Sequence, residues 1–316
     1  MTTVLGRRVV QLIPVLLGVT VLSYLLLNLL PGNVAVTILG PNASAQAIAK
    51  LTREMGLNQP VYLRYLHWLW HALHGNLGYS YVTNQSVTAA IVQSLPVTLE
   101  IIFSAQVVGI ICALPFALVA ARNPNGLVDS SLSALAYSTV AVPRFLLGMI
   151  LILLLAAYWH LFPATGFTPL TQGVVANLRS VALPVMSMAA LEFALYFRVL
   201  RSDIVEQLAG EEYVVTAAAK GAGRGRVLVR HVLRNALLSV VTVMGLNFGP
   251  LISGAVVIEV LFALPGIGHL LINSILGRDV VMVQGIVVFV ASAVVFINLL
   301  VDIIYTLLDP RIRYNA

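Results

Sequence analysis

Glu212-Tyr213-Val214-Val215-Thr216-Ala217-Ala218-Ala219-Lys220-Gly221, running on through Ala222-Gly223-Arg224-Gly225-Arg226 to Asn235, decides how the chain is read. It is the longest polar interruption on one side of an otherwise apolar sequence, and it holds many of the basic residues. The segment Tyr213 to Ala219 can form a helix with small side chains on one face. Gly221, Gly223 and Gly225 are expected to end it, because glycine costs about 1 kcal/mol in a helix and readily takes positive φ. A second helix follows, with Arg226, Arg230 and Arg234 at i, i+4 and i+8 along one ridge. Helix, hinge and basic helix between two apolar runs have the form of a docking element for a protein partner.

The surrounding composition places that element in a membrane protein. Of 316 residues, 59% are hydrophobic and only 9% charged, and the mean hydropathy is +0.96. A soluble domain carries about 25% charged residues. The net charge of +6 is therefore read through the positive-inside rule and not as a nucleic-acid footprint. Cys112 is the single cysteine and lies in an apolar run, which excludes an intrachain disulfide and argues against a thiolate metal site. Arg7 and Arg8 before an apolar run mimic a signal peptide. The run lacks a small-x-small cleavage site and ends in Leu30-Pro31-Gly32, so a retained first span is expected.

Six segments are long and apolar enough to cross a bilayer, which takes about 20 helical residues. They lie near Val9–Leu30, Val97–Ala121, Leu132–Tyr158, Leu183–Leu200, Leu237–Phe262 and Val281–Leu308. With both ends inside, the cytoplasmic basic set is Arg7, Arg8, Arg122, Arg198, Arg201, Lys220, Arg224, Arg226, Arg230, Arg234, Arg311 and Arg313. The outer set is Lys50, Arg53, Arg64, Arg179 and Arg278. Twelve against five fixes the orientation, and puts the opening stretch inside the cell. The expected fold is an all-α integral membrane protein with both termini cytoplasmic.

In the outer segment, Ser44 is placed to cap a short helix with Ile48, Leu51, Thr52 and Met55 on one face, ended by Gly56. Asn58 and Pro60 open a second, with Tyr62, Tyr65, Leu66, Leu69 and Leu73 on one side, ended by Gly75. Both read as amphipathic helices lying on the membrane or on the protein itself. His67, His71 and His74 share a face at zinc-compatible spacing. No carboxylate lies close by, and an interfacial belt suits the same residues.

Lys220-Gly-Ala-Gly-Arg-Gly-Arg has the flavour of a phosphate cradle. A P-loop needs glycine immediately before its lysine. Ala49 precedes Lys50 and Ala219 precedes Lys220, the two lysines present, so no Walker A motif exists. Arg144, Glu192 and, nearer span ends, Glu100, Glu259 and Asp302 sit in or beside the hydrocarbon. Such groups cost several kcal/mol facing lipid and are expected to face a cavity or one another. One reading makes Arg144, Glu192, Tyr196 and Asn247 a polar translocation path; the other makes them structural pairs between helices. No nucleophile stands with a base, which leaves no enzyme constellation. The Arg226–Arg230–Arg234 ridge also suits lipid phosphates, each worth about 1 kcal/mol near an anionic surface.

With these features in order, the chain resembles the permease subunits of binding-protein-dependent ABC importers, specifically the dipeptide/oligopeptide/nickel branch. The resemblance covers nearly the whole chain. It rests on Arg7-Arg8 to Leu30-Pro31-Gly32, Met55-Gly-Leu-Asn-Gln-Pro-Val, Gly75-Asn-Leu-Gly-Tyr-Ser, Ser94-Leu-Pro-Val-Thr-Leu-Glu100, Val142-Pro-Arg-Phe145 and Pro163-Ala-Thr-Gly166. Ile258-Glu259-Val-Leu-Phe262, Pro265-Gly-Ile-Gly268 and Arg278-Asp279 continue it. Glu212-Tyr213 through Ala219-Lys220-Gly221 to Arg230-His-Val-Leu-Arg-Asn-Ala236 looks like the family's cytoplasmic EAA loop. Ala218-Ala219 stands where the family more often has Arg-Ala, Asn76 where it usually has Asp, and Ser239 where it usually has Pro. Arg144 occupies a position commonly small or uncharged, where a fixed positive charge would favour some peptides over others.

The resemblance implies a type I ABC importer permease fold: a first span over residues 1–30, an extracytoplasmic segment 31–96, a permease core 97–308 containing the coupling loop 202–236, and a cytoplasmic tail 309–316. It implies a prokaryotic plasma-membrane location. The implied partners are a second homologous permease, one or two ABC ATPase subunits that bind ATP and Mg, an extracytoplasmic substrate-binding protein, a peptide substrate and membrane lipids. Glu212, Tyr213, Thr216, Ala217, Lys220 and Gly221 would couple to the ATPase. The chain itself would hold no cofactor and no metal. A nickel or glutathione importer is the near alternative; an ion-coupled secondary transporter, which would function without an ATPase, is the more distant one.

Overall fold

The computed structural model describes residues 2–28, 36, 43–54, 56 and 58–308. The Leu30-Pro31-Gly32 motif, Met55, and the tail with Arg311 and Arg313 lie outside the described residues, as do the side chains of Arg7, Arg8, Leu51, Ala218, Arg224 and Asp302. In chain order the α-helices are α1 (Thr2–Asn28), α2 (Ala45–Glu54), α3 (Val61–Leu73), α4 (Val87–Ala120), α5 (Leu127–Ala141), α6 (Arg144–Leu151), α7 (Val174–Gly210) and α8 (Glu212–Ala219). They continue with α9 (Arg224–Val227), α10 (Leu233–Leu246), α11 (Phe248–Leu261), α12 (Ile267–Leu276) and α13 (Val280–Leu308). One short hairpin, β1 (Tyr79–Ser80) with β2 (Gln85–Ser86), pairs antiparallel.

Four helices among the described residues are long and apolar enough to span a membrane: α4, α7, Gly225–Leu246 and the Val280–Val301 part of α13. A fifth arises if α5 and the segment Arg144–Tyr158 count as one span, bent by 99°. The chain is thus a multi-pass membrane protein. Two departures from the expected spans have local causes. The segment expected as one span over Leu132–Tyr158 breaks at Val142, whose extended backbone is what a residue before proline prefers, and Pro143 then opens α6. The segment expected over Leu237–Phe262 breaks at Asn247 instead of running through. Pro250 lacks the N–H that would bond the Leu246 carbonyl, and its ring crowds that carbonyl. The apolar helix therefore begins earlier, at Gly225, and α11 is a separate short piece.

The chain divides into two compact units, Met1–Val97 with Pro265–Leu299, and Thr98–Leu264 with Leu300–Ala316. In the first, Ser44 caps α2 as expected, its Oγ accepting from the Ala47 amide at 3.2 Å, and Gly56 follows with φ +63°. The α3 helix packs on α1 through Tyr65, whose hydroxyl lies 2.9 Å from Thr20 Oγ1 and whose ring meets Tyr24 edge-on. Tyr65 therefore turns away from Tyr62, Leu66 and Leu73, which stay exposed; the single expected stripe splits into two faces. The hairpin is bolted to α13 by Ser80, whose hydroxyl donates to Asp279, while Asp279 Oδ1 caps α13 by accepting from the Met282 amide at 3.1 Å. Val87, Ile91, Ile267, Met282 and Ile286 form the core there.

The second unit is built around α7. Tyr196, Phe197, Leu200 and Ile204 are buried in it against Ala113, Ala117 and Ala120 of α4 and Val232, Ala236 and Val240 of the helix after the polar interruption. Alanines at i, i+4 and i+7 leave α4 nearly smooth, so that backbones approach closely, the usual way helices associate in lipid. Gly109 marks the tightest point: a Cβ there would lie 2.7 Å from Glu192 Cβ and 3.2 Å from the Phe193 amide nitrogen. Gly109→Val is expected to cost about 1–3 kcal/mol through overpacking, seen as a lower unfolding midpoint in nanodiscs. Gly18→Ala, in open space, should leave the midpoint unchanged or slightly raised.

Candidate functional site

Two places gather the residues singled out from the sequence. The first is the polar interruption. The α8 helix exposes Glu212, Val215, Thr216 and Ala219, and Lys220 just after it is exposed too, while Tyr213, Val214 and Ala217 are half-buried against the core of the second unit. Apolar contact on one side fixes the helix; the other side is left open. The Tyr213 hydroxyl donates to Gln207 Oε1 at 2.5 Å, which ties α8 back to the end of α7. At its C-terminus the Ala222 amide bonds the Ala217 carbonyl at 3.1 Å and Gly221 sits at φ +81°. This is a Schellman stop, in which a glycine supplies the left-handed residue after the helix. Gly223 precedes α9 and Gly225 lies inside it, so of the three glycines expected to break the helix Gly221 alone takes positive φ.

An open cleft is lined by Glu212, Tyr213, Thr216, Ala217, Lys220, Ala222 and His231. Five of the six expected coupling residues line it and the sixth, Gly221, sets its turn. Sequence reasoning missed His231, which reaches the cleft because the chain folds back after Gly221. Arg226, Arg230 and Arg234 are all exposed. The turn Leu228–Val232 is π-helical, which inserts a residue into the register, so the three do not follow a plain α-helical ridge.

The second place lies inside the second unit, where Arg144, Glu192, Tyr196 and Asn247 come together from three elements. Glu192 has no exposed side-chain surface, and its Oε1 accepts from Arg144 Nη2 at 3.1 Å. Its Oε2 accepts from Asn247 Nδ2, and Tyr196 stands one turn along α7. The Tyr196 hydroxyl lies 3.4 Å from Gln106 Oε1. Each position follows from a backbone feature. Arg144 is the first residue after the Pro143 break, and Asn247 stands at the junction of α10 and α11. Gly254 leaves room for the guanidinium, since a Cβ there would overlap Arg144 Nη1. A cation at a helix N-terminus opposes the helix dipole, and the Glu192 carboxylate offsets that.

Two other membrane carboxylates, Glu259 and Glu100, are also engaged. Thr98 Oγ1 donates to Glu259 at 2.6 Å, and Asn177 Nδ2 donates to Glu100 at 2.6 Å. Asp129 escaped the sequence reading: it accepts both Nε and Nη2 of Arg201, at 2.9 and 2.5 Å. They are 72 positions apart, and the only sequence signal was that Asp129 is the one acid between Glu100 and Glu192. The His74 ring lies tilted against Trp70, and its Nδ1 is 2.7 Å from the Trp70 carbonyl oxygen. Among the described residues, no group of three His, Cys, Asp or Glu side chains is placed to hold a metal ion.

Residues 113–314 match the family described as "Binding-protein-dependent transport system inner membrane component" and residues 1–102 match its N-terminal companion. A protein of Brucella abortus (strain 2308), provisionally named a peptide transport system permease protein, is 40% identical over 315 residues, the full length of both chains. The dipeptide transport system permease protein DppB of Escherichia coli (strain K12) is 34% identical over 333 residues, 98% of each chain. A solved structure titled as an amino acid ABC transporter with histidines aligns with TM-score 0.50 at 15% identity, covering 71% of this chain and 94% of its own; that likeness concerns the fold alone.

The Arg144–Glu192 contact generates a double-variant test. Arg144→Met leaves Glu192 buried without its cation, which typically costs about 3–5 kcal/mol. Arg144→Met with Glu192→Gln removes both charges and should regain much of that loss. Unfolding midpoints of the two variants in nanodiscs check it: equal midpoints would mean that the contact carries no coupling.

Proposed function

The chain belongs to the family of binding-protein-dependent transport system inner membrane components, and on that premise we propose that it is the permease subunit of an ATP-driven importer of di- and oligopeptides. The observation that carries this reading is the end-to-end likeness to peptide permeases at 34–40% identity. Six spans with both termini cytoplasmic fit it: the five candidate spans together with the apolar part of α1, Leu12–Leu25. Residues 1–30 would be the first span, 31–96 the extracytoplasmic segment, 97–308 the core and 309–316 the tail, in the plasma membrane of a prokaryote.

The partners in this reading are a second homologous permease, one or two ATPase subunits and an extracytoplasmic binding protein. ATP and Mg belong to the ATPase subunits, since neither lysine of this chain follows a glycine. The exposed side of α8, with Glu212, Thr216 and Lys220, enters a groove on an ATPase subunit; Tyr213 and Ala217 hold the helix from behind. Closure of the ATPase pair moves α8, and its anchorage to α7 passes the movement to the helix that carries Glu192. Arg144 and Asn247 line the path, with the buried Glu192 and Tyr196 behind them. Because Glu192 pairs with Arg144, the two together add no net charge there. Alternating access follows from the populations of two arrangements, with no covalent step on this chain.

Gly221 offers the sharpest test. Nothing lies within 4 Å of where its Cβ would be, so Gly221→Leu acts through backbone conformation and not through a clash. A bulky residue held at positive φ costs about 1–3 kcal/mol. The substitution is expected to lower peptide uptake by reconstituted vesicles at least several-fold while ATP hydrolysis continues. Uptake and hydrolysis falling in parallel, or neither falling, would count against the coupling role.

A further inference from the structure

The side chains that engage Glu192 and Asp129 also bound a cavity of about 350 Å³ in the second unit, lined by residues that include Ser133, Tyr137, Arg144, Arg198, Arg201 and Asn247. Three guanidinium groups therefore face one space. Arg144 is matched by Glu192 at 3.1 Å and Arg201 by Asp129 at 2.5 Å. Arg198 is exposed, and no carboxylate lies in bonding range of it among the described residues. Three cations against two carboxylates leave the cavity one positive charge in excess.

We propose that this cavity is a carboxylate subsite in which Arg198 receives the C-terminal carboxylate of a peptide in transit. The inference rests on the peptide-import reading and adds to it the end of the substrate that the permease holds. A carrier of peptides of varied sequence can recognise only what they share: an ammonium, a carboxylate and the amide backbone. An ammonium would need an uncommitted acid here, and Glu192 and Asp129 are each bonded to an arginine. A carboxylate finds an uncommitted guanidinium, whose fork geometry suits it bidentately. Arg144 Nε adds a buried donor with no acceptor among the described residues. Ser133, Tyr137 and Asn247 supply polar groups for the adjoining amide. A cavity of this size lies at the small end of ligand sites, which run from about 300 to 1,000 Å³, and suits one peptide terminus. Snorkelling to the membrane surface would account for Arg198 alone but not for the polar wall opposite it on α5.

The test uses the whole complex of permeases and ATPases in nanodiscs, without the binding protein. Saturation-transfer NMR reads the binding of trialanine and of its C-terminal amide. The wild type is expected to prefer the free acid by about tenfold, the weight of one charge-assisted hydrogen bond. Arg198→Gln should bring the ratio close to one, and Arg198→Lys should retain most of it, which separates lost charge from lost folding. An equal ratio in wild type and Arg198→Gln, or no binding of the acid by the wild type, overturns the proposal. So does a preference that disappears when anionic lipid is added to the nanodisc, because a lipid phosphate is then the occupant. ATP-driven uptake of trialanine by the wild type, with binding protein present, is run beside these. Uptake without acid preference sinks the subsite alone, whereas failure of uptake sinks the peptide-import reading.

Discussion

A carboxylate with no exposed surface in the middle of a 37-residue apolar helix has to be held by the protein itself. With no accessible surface it cannot draw on water, and an unpaired charge at that depth costs several kcal/mol. Glu192 is met by Arg144 and Asn247, and these partners dictate much of the second unit. To reach Glu192, Arg144 must follow a sharp break, which Pro143 supplies. Asn247 must stand between two helices, and Pro250 separates them. Gly109 and Gly254 must be glycines so that α4 can approach Glu192 and the Arg144 guanidinium can lie against α11. One buried charge thus accounts for two helix breaks and two close approaches.

The unit outside that cluster is stabilised differently. In lipid, apolar side chains gain little from meeting one another, so close packing and interhelical hydrogen bonds carry the association. The alanines of α4 provide the first. Thr98 with Glu259, Asn177 with Glu100 and Arg201 with Asp129 provide the second. Each joins segments far apart in sequence, and each satisfies a group that could not face hydrocarbon alone.

This explains what was legible in the sequence. Apolar run length and basic-residue bias gave the class and the approximate spans, because both are one-dimensional consequences of bilayer thickness and membrane charge. The α8 stop was legible because Gly221 follows an alanine-rich helix directly. The polar residues of the interior were visible as anomalies, but their pairing was not: Arg144 and Glu192 are 48 positions apart and nothing local links them. Asp129 was overlooked for the same reason, standing at the start of a helix where an acid is ordinary. The break at Asn247 was readable in principle from Pro250, but a strongly apolar run on both sides masked it. Tyr65 was assigned to the wrong face because the pattern alone cannot tell which side meets α1.

The breaks and the polar side chains coincide, and that coincidence has a mechanical reason. A break frees backbone groups that a continuous helix would satisfy, and non-helical backbone at membrane depth is tolerated only where protein or a water-filled cavity covers it. The same cover suits Arg144 and Asn247, so both costs are met in one place. A break is also where a helix can change direction without losing its hydrogen bonds elsewhere. The α7 helix passes this point unbroken between the two junctions and ends at α8, to which Tyr213 ties it. Displacement of α8 along α7 would therefore be felt at Glu192, whose partners sit on the two elements best able to move independently of it. A straight six-helix bundle with the same charges would hold them as firmly but would have no joint at which to release them.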